Sequence, residues 1–216
     1  MGRSLSAEDV SSSVQDSKNG KAAGLDGIIY ELWKVLDARF RAAPADARGT
    51  LVFDVTDAMR KVFTDVEDYG LPEGSRFAEG WLCPLYKKGE RSEIANYRPI
   101  TLLNTDYKLY TKILAMRLAM VASRVIHPSQ AGFVQGRSIA DHTKVTSLLL
   151  DLAEADDQDG AIVALDQEKA YDRVRHDYLL KILAAFGLPP RFVRAVANLY
   201  SSAHTSVMVN GMLSSR

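Results

Sequence analysis

The sequence predicts an α+β fold that is rich in helices and contains short antiparallel hairpins. Several stretches repeat apolar residues at the three- and four-residue spacing of amphipathic helices. The β-like runs, by contrast, are short and are separated by turn residues. Apolar residues make up 47% of the 216 residues, which is enough to fill the core of one large domain or two small ones.

The predicted helices account for much of the chain, and two of them end at prolines. Pro44 ends the first helix, and His127-Pro128 ends the third. The predicted helices lie at about residues 28–40, 51–66, 105–126, 139–155, 178–186 and 190–201. Residues 1–17 are rich in serine and acidic residues and have few large apolar groups. We therefore expect a flexible N-terminal segment there, either a frayed start or a short helix.

A β-hairpin is predicted from two short β-like runs, Trp81–Tyr86 and Tyr97–Leu103, joined by a charged turn. Prolines in both runs favour an edge strand or a bulge. The hairpin carries four cations, namely Lys87, Lys88, Arg91 and Arg98. On composition alone, a solvated charged loop explains these cations better than a binding surface does.

Two other segments are predicted to be turns or loops. Lys18–Gly27 contains three glycines and two lysines, but their spacing does not fit a P-loop, so a flexible helix cap is the ordinary alternative. Near the C-terminus, Asn210-Gly211 follows the β-like run Thr205–Val209 and predicts a tight hairpin turn.

The segment Ala161–Asp172 is the strongest candidate for a site. Its apolar run of small and β-branched residues predicts a strand buried on both faces that ends at Asp166. A carboxylate at the end of a strand is held rigidly and stays open to water, as a divalent cation requires. The ordinary alternative is a strand that ends in a polar turn.

Composition excludes several classes of protein. Lysine plus arginine equals aspartate plus glutamate at 27 each, so there is no global positive charge, although a local basic stripe suffices for nucleic acid. The single cysteine, Cys83, excludes an internal disulfide and a cysteine-rich zinc site. No apolar run reaches membrane-spanning length and the N-terminus lacks a signal-like core, so we expect a soluble intracellular protein.

Taken in order, five motifs resemble the reverse transcriptase domain of non-LTR retrotransposons of the LINE class. Group II intron reverse transcriptases are more distant relatives. The motifs are Ala-Gly-Leu-Asp-Gly at 23–27, Pro-Leu-Tyr-Lys-Lys-Gly at 84–89, Asn-Tyr-Arg-Pro-Ile-Thr-Leu-Leu-Asn at 96–104, Gln-Ala-Gly-Phe-Val-Gln-Gly-Arg-Ser at 130–138, and Leu-Asp-Gln-Glu-Lys-Ala-Tyr-Asp-Arg-Val at 165–174. The resemblance implies a right-hand polymerase with flexible residues 1–17, a fingers region at 18–160 and the first part of a palm at 161–216.

The resemblance also implies roles for the predicted site residues. Asp166 matches the first metal-binding aspartate, and the backbone carbonyl of Gln167 is placed to face the same ion and the nucleotide. Tyr171 matches the ring beneath the incoming sugar, although without the resemblance a core tyrosine is the simpler interpretation. Lys87 and Arg98 match the residues that reach the triphosphate, and the Arg98 guanidinium suits a bidentate phosphate contact.

The remaining implications concern partners, the metal and the neighbouring residues. Lys88 and Arg91 are predicted to contact nucleic acid, with an RNA template, a DNA primer and dNTPs as partners. The chemistry uses two Mg²⁺ ions, with Mn²⁺ as a substitute, in a complete site. Asp26 is predicted to cap its loop. Structural or salt-bridged roles are expected for Glu168, Lys169 and Asp172. A nuclear or cytoplasmic ribonucleoprotein location follows from the resemblance alone.

The chain departs from the family pattern at the second carboxylate box, an aromatic-Ala-Asp-Asp segment expected after Asp166. Ala155-Asp156-Asp157 looks similar, but it precedes Asp166 and follows a helical run, so we reject it. The expectation is therefore a fragment of an RNA-directed DNA polymerase, with a catalytic site left incomplete in this chain alone. The alternative is a degenerate retroelement remnant that acts at most as an RNA-binding or interaction module.

Overall fold

The computed structural model describes residues 2–48, 52–157 and 159–214. It divides into two compact units, Met1–Leu114 with Gly187–Arg216, and Ala115–Phe186. The described residues form α1 (Ala7–Gln15), α2 (Tyr30–Ala42), α3 (Val55–Tyr69), β1 (Glu79–Tyr86), β2 (Tyr97–Leu103), α4 (Thr105–Val125), α5 (Ile139–Ala155), α6 (His176–Ala185), α7 (Pro190–Ser201), β3 (His204–Val209) and β4 (Met212–Leu213). The α+β prediction is confirmed, and among these residues no helix has the length and apolar character needed to cross a membrane.

Helix α1 matches the short helix that was one of the two alternatives for residues 1–17, and it is folded rather than frayed. Ser6 and Asp9 form a reciprocal capping box, so the first turn is closed by side chains. Val10 and Val14 lie four residues apart and are both buried. The serines that favoured disorder are also packed, because Ser13 Oγ donates to the Leu109 carbonyl at 3.2 Å.

The core of the first unit is aromatic. The rings of Phe63 in α3 and Tyr110 in α4 stack at 5.1 Å, and both side chains are buried. Phe77, just before β1, packs against the same pair at 6.2 and 6.4 Å. This cluster joins the helices to the start of the sheet and so fixes where the hairpin emerges.

The sheet has the strand order β2-β1-β3-β4. The predicted hairpin is confirmed, since β1 and β2 pair antiparallel from Gly80↔Leu103 to Tyr86↔Tyr97. The Asn210-Gly211 turn is confirmed by the antiparallel pairing of β3 with β4. The sequence did not predict that β3 also pairs parallel to β1, from Glu79↔His204 to Leu82↔Val207.

The parallel pairing changes the predicted division of the chain. Residues 187–216 belong with the first unit, whereas the predicted boundary at residue 160 separates them from the hairpin. The boundaries of the compact units therefore differ from the predicted ones. The names fingers and palm remain predictions for these regions.

The second unit differs from expectation in two places. Helix α5 is where it was predicted, but none of its side chains is buried, and Leu148, Leu149 and Leu152 are exposed. The predicted strand at 161–165 is wrong, because these residues are irregular and exposed, with Leu165 at 92%. A strand needs a partner for its N–H and C=O groups, and no described strand pairs with this segment.

Candidate nucleotide and nucleic-acid site

The β1–β2 hairpin places Lys87 and Arg98 on the same face. Leu85 is paired with Arg98, and the register continues into the turn because Lys87 N donates to the Asn96 carbonyl at 2.9 Å. Side chains alternate along a strand, so Leu85, Lys87 and Arg98 point to one side. Lys87 and Arg98 are exposed, and neither has an ion-pair partner among the described residues. This face therefore presents two free cations to an anion.

The tip of the hairpin is held by hydrogen bonds from side chains. Tyr86 Oη donates to the Gly89 carbonyl at 2.7 Å, and Tyr97 Oη donates to the Arg91 carbonyl at 2.8 Å. Gly89 adopts φ 91°, a conformation that favours glycine, and an added Cβ would also displace the Asn96 side chain. The tip is thus a fixed loop rather than a loose one.

The two cations predicted to bind nucleic acid are placed differently. Lys88 is exposed and has no ion-pair partner among the described residues. Arg91 folds back, with its guanidinium carbon 4.8 Å from the centre of the Tyr86 ring. Pairing of Tyr86 with Tyr97 puts both rings on the face opposite Lys87 and Arg98.

The Ala-Gly-Leu-Asp-Gly motif packs against the end of the Asn-Tyr-Arg-Pro motif. A Cβ on Gly24 would overlap the backbone nitrogen and Cα of Asn104. Asn104 is buried, and its Oδ1 accepts from Asp26 N at 3.4 Å. Thr105 Oγ1 donates to the Ile28 carbonyl at 2.9 Å. The Asp26 side chain accepts from Ile28 N at 2.9 Å, so its predicted role as a loop cap is seen.

Charged groups near this contact are perturbed by burial. Burial raises the pKa of the Asp106 carboxyl, and the nearby Asp26 raises it further. Burial lowers the pKa of the Lys108 ammonium, which donates to the Ala22 carbonyl at 3.0 Å. Lys108, Asn104 and Thr105 hold the Gly-Leu-Asp loop to the start of α4, and these contacts explain the motif by packing rather than by chemistry.

Asp106 gives a prediction for the dependence of stability on pH. Because its pKa is raised in the folded state, the fold binds the proton more tightly than the unfolded chain does. Its contribution is fully present below the unfolded pKa and is lost as pH rises through the folded pKa. We expect Asp106→Asn to raise the melting temperature relative to wild type by an amount that grows from about pH 4 to about pH 7.

The measurement is thermal unfolding of both proteins across that range. Asp65→Asn, an exposed aspartate on α3, is the matched control. If the difference in melting temperature between Asp106→Asn and wild type stays constant with pH, the raised pKa of Asp106 is contradicted.

In the second unit, Asp166 and Gln167 lie on an exposed irregular segment. Asp166 does not lie at the end of a strand, so the predicted position at the mouth of a sheet is wrong for this structure. Glu168 forms an ion pair with Arg173 at 2.5 Å, as expected of a salt-bridged residue. Gln167 lines a cavity of about 580 Å³ together with Arg173, Arg175 and Lys181, which sequence reasoning did not single out.

Tyr171 brings two of the sequence motifs together. Its ring meets that of Phe133 edge-on, with centroids 6.2 Å apart and planes at 79°. Tyr171 is 76% exposed and Phe133 is 97% exposed, so the interpretation of Tyr171 as a core residue is wrong. Phe133 also has φ 61°, which is unusual for an aromatic residue.

The segment that carries Phe133 is fixed by Arg137. Its guanidinium donates four hydrogen bonds to backbone carbonyls at and after the C-terminal end of α4. The acceptors are Ser123, Ile126, His127 and Gln130, at 2.7 to 3.2 Å. Arg137 therefore satisfies orphan carbonyls, which accounts for its place in the motif.

The described residues do not build a metal site by themselves. Among them, no group of three or more histidine, cysteine, aspartate or glutamate side chains lies close enough to hold an ion. Asp166 offers one carboxylate, whereas Mg²⁺ is held by several oxygen ligands. The rejected Asp156-Asp157 pair lies at the C-terminal end of α5, where Asp156 caps the helix.

Comparisons with known proteins agree with the resemblance. A family model described as reverse transcriptase (RNA-dependent DNA polymerase) matches residues 85–215, a range that includes every predicted site residue. The chain is 34% identical over 213 residues to the "Transposon TX1 uncharacterized 149 kDa protein" of Xenopus laevis, covering 97% of this chain and 15% of that protein.

Other relatives match shorter stretches. The Pol polyprotein of the type-1 retrotransposable element R2 from Popillia japonica is 31% identical over 127 residues, covering 57% of this chain and 17% of that protein. The "Probable RNA-directed DNA polymerase from transposon BS" of Drosophila melanogaster is 32% identical over 133 residues, covering 54% of this chain and 15% of the relative. The chain thus spans a small part of the length of these proteins. It belongs to the reverse transcriptase (RNA-dependent DNA polymerase) family, among the proteins of non-LTR, LINE-class retrotransposons.

Proposed function

We propose that this chain is a segment of an RNA-directed DNA polymerase that extends a DNA primer on an RNA template with dNTPs. In this proposal the β1–β2 hairpin belongs to the fingers, and the segment around Asp166 belongs to the palm. The observation that carries the proposal is the pair of free cations on one face of the hairpin. The alternative of a remnant that only binds RNA has no observation that favours it.

The hairpin face suits a triphosphate for two reasons. Arg98 offers a planar fork of donors that matches two phosphate oxygens, and Lys87 adds a point charge beside it. Neither cation has to break an ion pair within the described chain before it binds. The ordered tip also means that binding does not have to fix a loose loop, which lowers its entropic cost.

The palm residues complete the proposal. Asp166 is exposed and supplies one carboxylate of a divalent-metal site, with Mg²⁺ the expected ion and Mn²⁺ a substitute. The other carboxylates come from outside the described residues. The exposed ring of Tyr171, which meets that of Phe133 edge-on, is proposed to lie beneath the sugar of the dNTP. Gln167 is proposed to contact the same nucleotide.

The test is a titration of the full chain with a dNTP, in which calorimetry measures the heat of binding and so the affinity. We expect Arg98→Ala to weaken binding about 10- to 100-fold, since a charge-assisted bidentate contact is lost, and Lys87→Ala to weaken it about 3- to 10-fold. Arg39→Ala on α2 removes the same charge from an exposed site away from the hairpin and is the control. Equal losses from Arg98→Ala and Arg39→Ala would mean that only net charge matters, and the assignment would fail.

A further inference from the structure

A cavity opens on the face of the sheet opposite Lys87 and Arg98. The pairing of β1 with β3 stops at Leu82↔Val207, two residues before Pro84. Proline has no N–H to donate to a neighbouring strand, so the pairing has no reason to continue there. Beyond this point a cavity of about 300 Å³ lies between the hairpin tip and the β3–β4 turn.

Apolar and polar side chains both line the cavity, and the polar ones are Arg91, Ser92 and Asn210. Pro84, Ile94 and Tyr97 line one side, and Val209 and Asn210 line the other. Ile94 is 72% exposed although nothing in its chemistry favours water. The volume is at the lower end of the range for small-molecule pockets, which suits one planar ring system better than a larger ligand.

Aromatic rings and a cation meet at this cavity. Tyr97 lies edge-on to Tyr86, with centroids 5.6 Å apart. Arg91, which also lines the cavity, lies over the Tyr86 ring. Sites for unpaired nucleic acid combine aromatic or arginine planes, on which bases stack, with cations that follow the backbone. Between residues 87 and 98 the hairpin carries four cations against Glu90 and Glu93, so the local charge is positive.

From these observations we propose that the cavity holds one unpaired base of a single-stranded nucleic acid, stacked against Tyr97 and Ile94 with Arg91 at its rim. This inference rests on the proposed polymerase function but concerns a different face of the hairpin from the triphosphate contact. The hydrogen bond from Tyr97 Oη to the Arg91 carbonyl fixes the Tyr97 ring, and the Arg91 guanidinium rests over the Tyr86 ring, before the strand arrives. One face of the hairpin then serves the nucleotide, and the other serves the strand.

The test compares strands with and without bases. Fluorescence anisotropy of the full chain is measured with labelled eight-residue RNA and DNA, with the same RNA made abasic, and with a duplex. Comparison of the affinities for RNA and DNA shows which kind of strand the cavity binds. We expect the intact single strand to bind about tenfold more tightly than the abasic strand, because the abasic strand keeps the phosphates and loses stacking.

Four variants locate the effect. Ile94→Ser and Arg91→Ala are expected to reduce the tenfold difference between intact and abasic strands to about twofold or less, and Arg39→Ala to leave it unchanged. Lys88→Ala is expected to weaken the binding of the intact strand and of the abasic strand equally. Photocrosslinking of 4-thiouridine RNA to the unaltered chain provides a readout that needs no variant, and crosslinks are expected within residues 84–97 or 208–210.

Three results would each contradict the proposal that the cavity holds an unpaired base. They are equal affinity for intact and abasic strands, equal affinity for duplex and single strand, and crosslinks confined to other residues. These results are separable from failure of the proposed function. If the intact and abasic strands bind with equal, salt-sensitive affinity and dNTP binding is normal, only the proposal for the cavity is rejected. Absence of both strand and dNTP binding would reject both proposals.

Discussion

Asp166→Asn is expected to reduce primer extension on an RNA template by about a thousandfold or more. Asparagine keeps the size of the aspartate side chain and loses its negative charge, so the substitution removes the proposed charged metal ligand without changing the shape of the site. Replacing a charged group that acts directly on the reacting atoms typically costs two to three orders of magnitude or more. Asp166 is exposed in this chain, so the substitution leaves packing unchanged.

The assay uses a hybrid in which residues 1–216 replace the matched segment of the Xenopus laevis relative, since this chain covers 15% of that protein. Asp172→Asn is the matched control, because Asp172 is also exposed and has no proposed role in the reaction. Activity retained by Asp166→Asn and lost by Asp172→Asn would reverse the assignment of the metal-binding aspartate.

Gly24→Ala is expected to destabilise the first unit by about 3 kcal/mol or more, the upper end of the range for overpacking. The added Cβ would overlap backbone atoms of Asn104, which cannot rotate away as the end of a side chain can. Asn104 immediately precedes α4, whose first turn also holds Thr105 against the Ile28 carbonyl. Relief of the overlap therefore requires the loop and the helix to separate.

The measurement is thermal unfolding, with a melting temperature lower than wild type by about 6–12 °C. Gly132→Ala is the control, since an added Cβ there meets nothing within 4 Å. Equal stability of the Gly24→Ala variant and wild type would show that the contact between the two motifs is looser than described.

Local signals in the sequence predicted much of the fold. The predicted helix 190–201 and the observed α7 coincide, because proline at the start and an apolar face define it from neighbouring residues alone. The β1–β2 hairpin is likewise set by its turn and its β-branched and aromatic flanks. By contrast, the parallel pairing of β1 with β3 joins segments more than a hundred residues apart, and no local pattern specifies such a pairing.

The misplaced strand at 161–165 shows the limit of periodicity. An apolar run predicts that a segment will be buried, but the partner that buries it has to come from elsewhere in the chain. In the described residues Ile162 and Val163 have no such partner and remain exposed. The sequence therefore identified Asp166 by its motif, while its backbone setting depended on contacts that the motif does not encode.

Parts of the candidate site that depend on neighbouring residues were predicted from the sequence, whereas parts that depend on distant segments were not. The shared face of Lys87 and Arg98 follows from hairpin register, which short-range pattern can supply. The contact of Tyr171 with Phe133 joins motifs about forty residues apart and required the structure. The cavity between the hairpin tip and the β3–β4 turn depends on the parallel pairing, so no reading of the two segments separately predicts it.

Primer extension with the hybrid protein on matched RNA and DNA templates tests most directly whether the chain is part of an RNA-directed DNA polymerase. We expect a DNA product that requires an RNA template, a primer and all dNTPs, and that falls about tenfold or more in Arg98→Ala at limiting dNTP. A hybrid that folds, binds the primed RNA and yields no product under these conditions would contradict it.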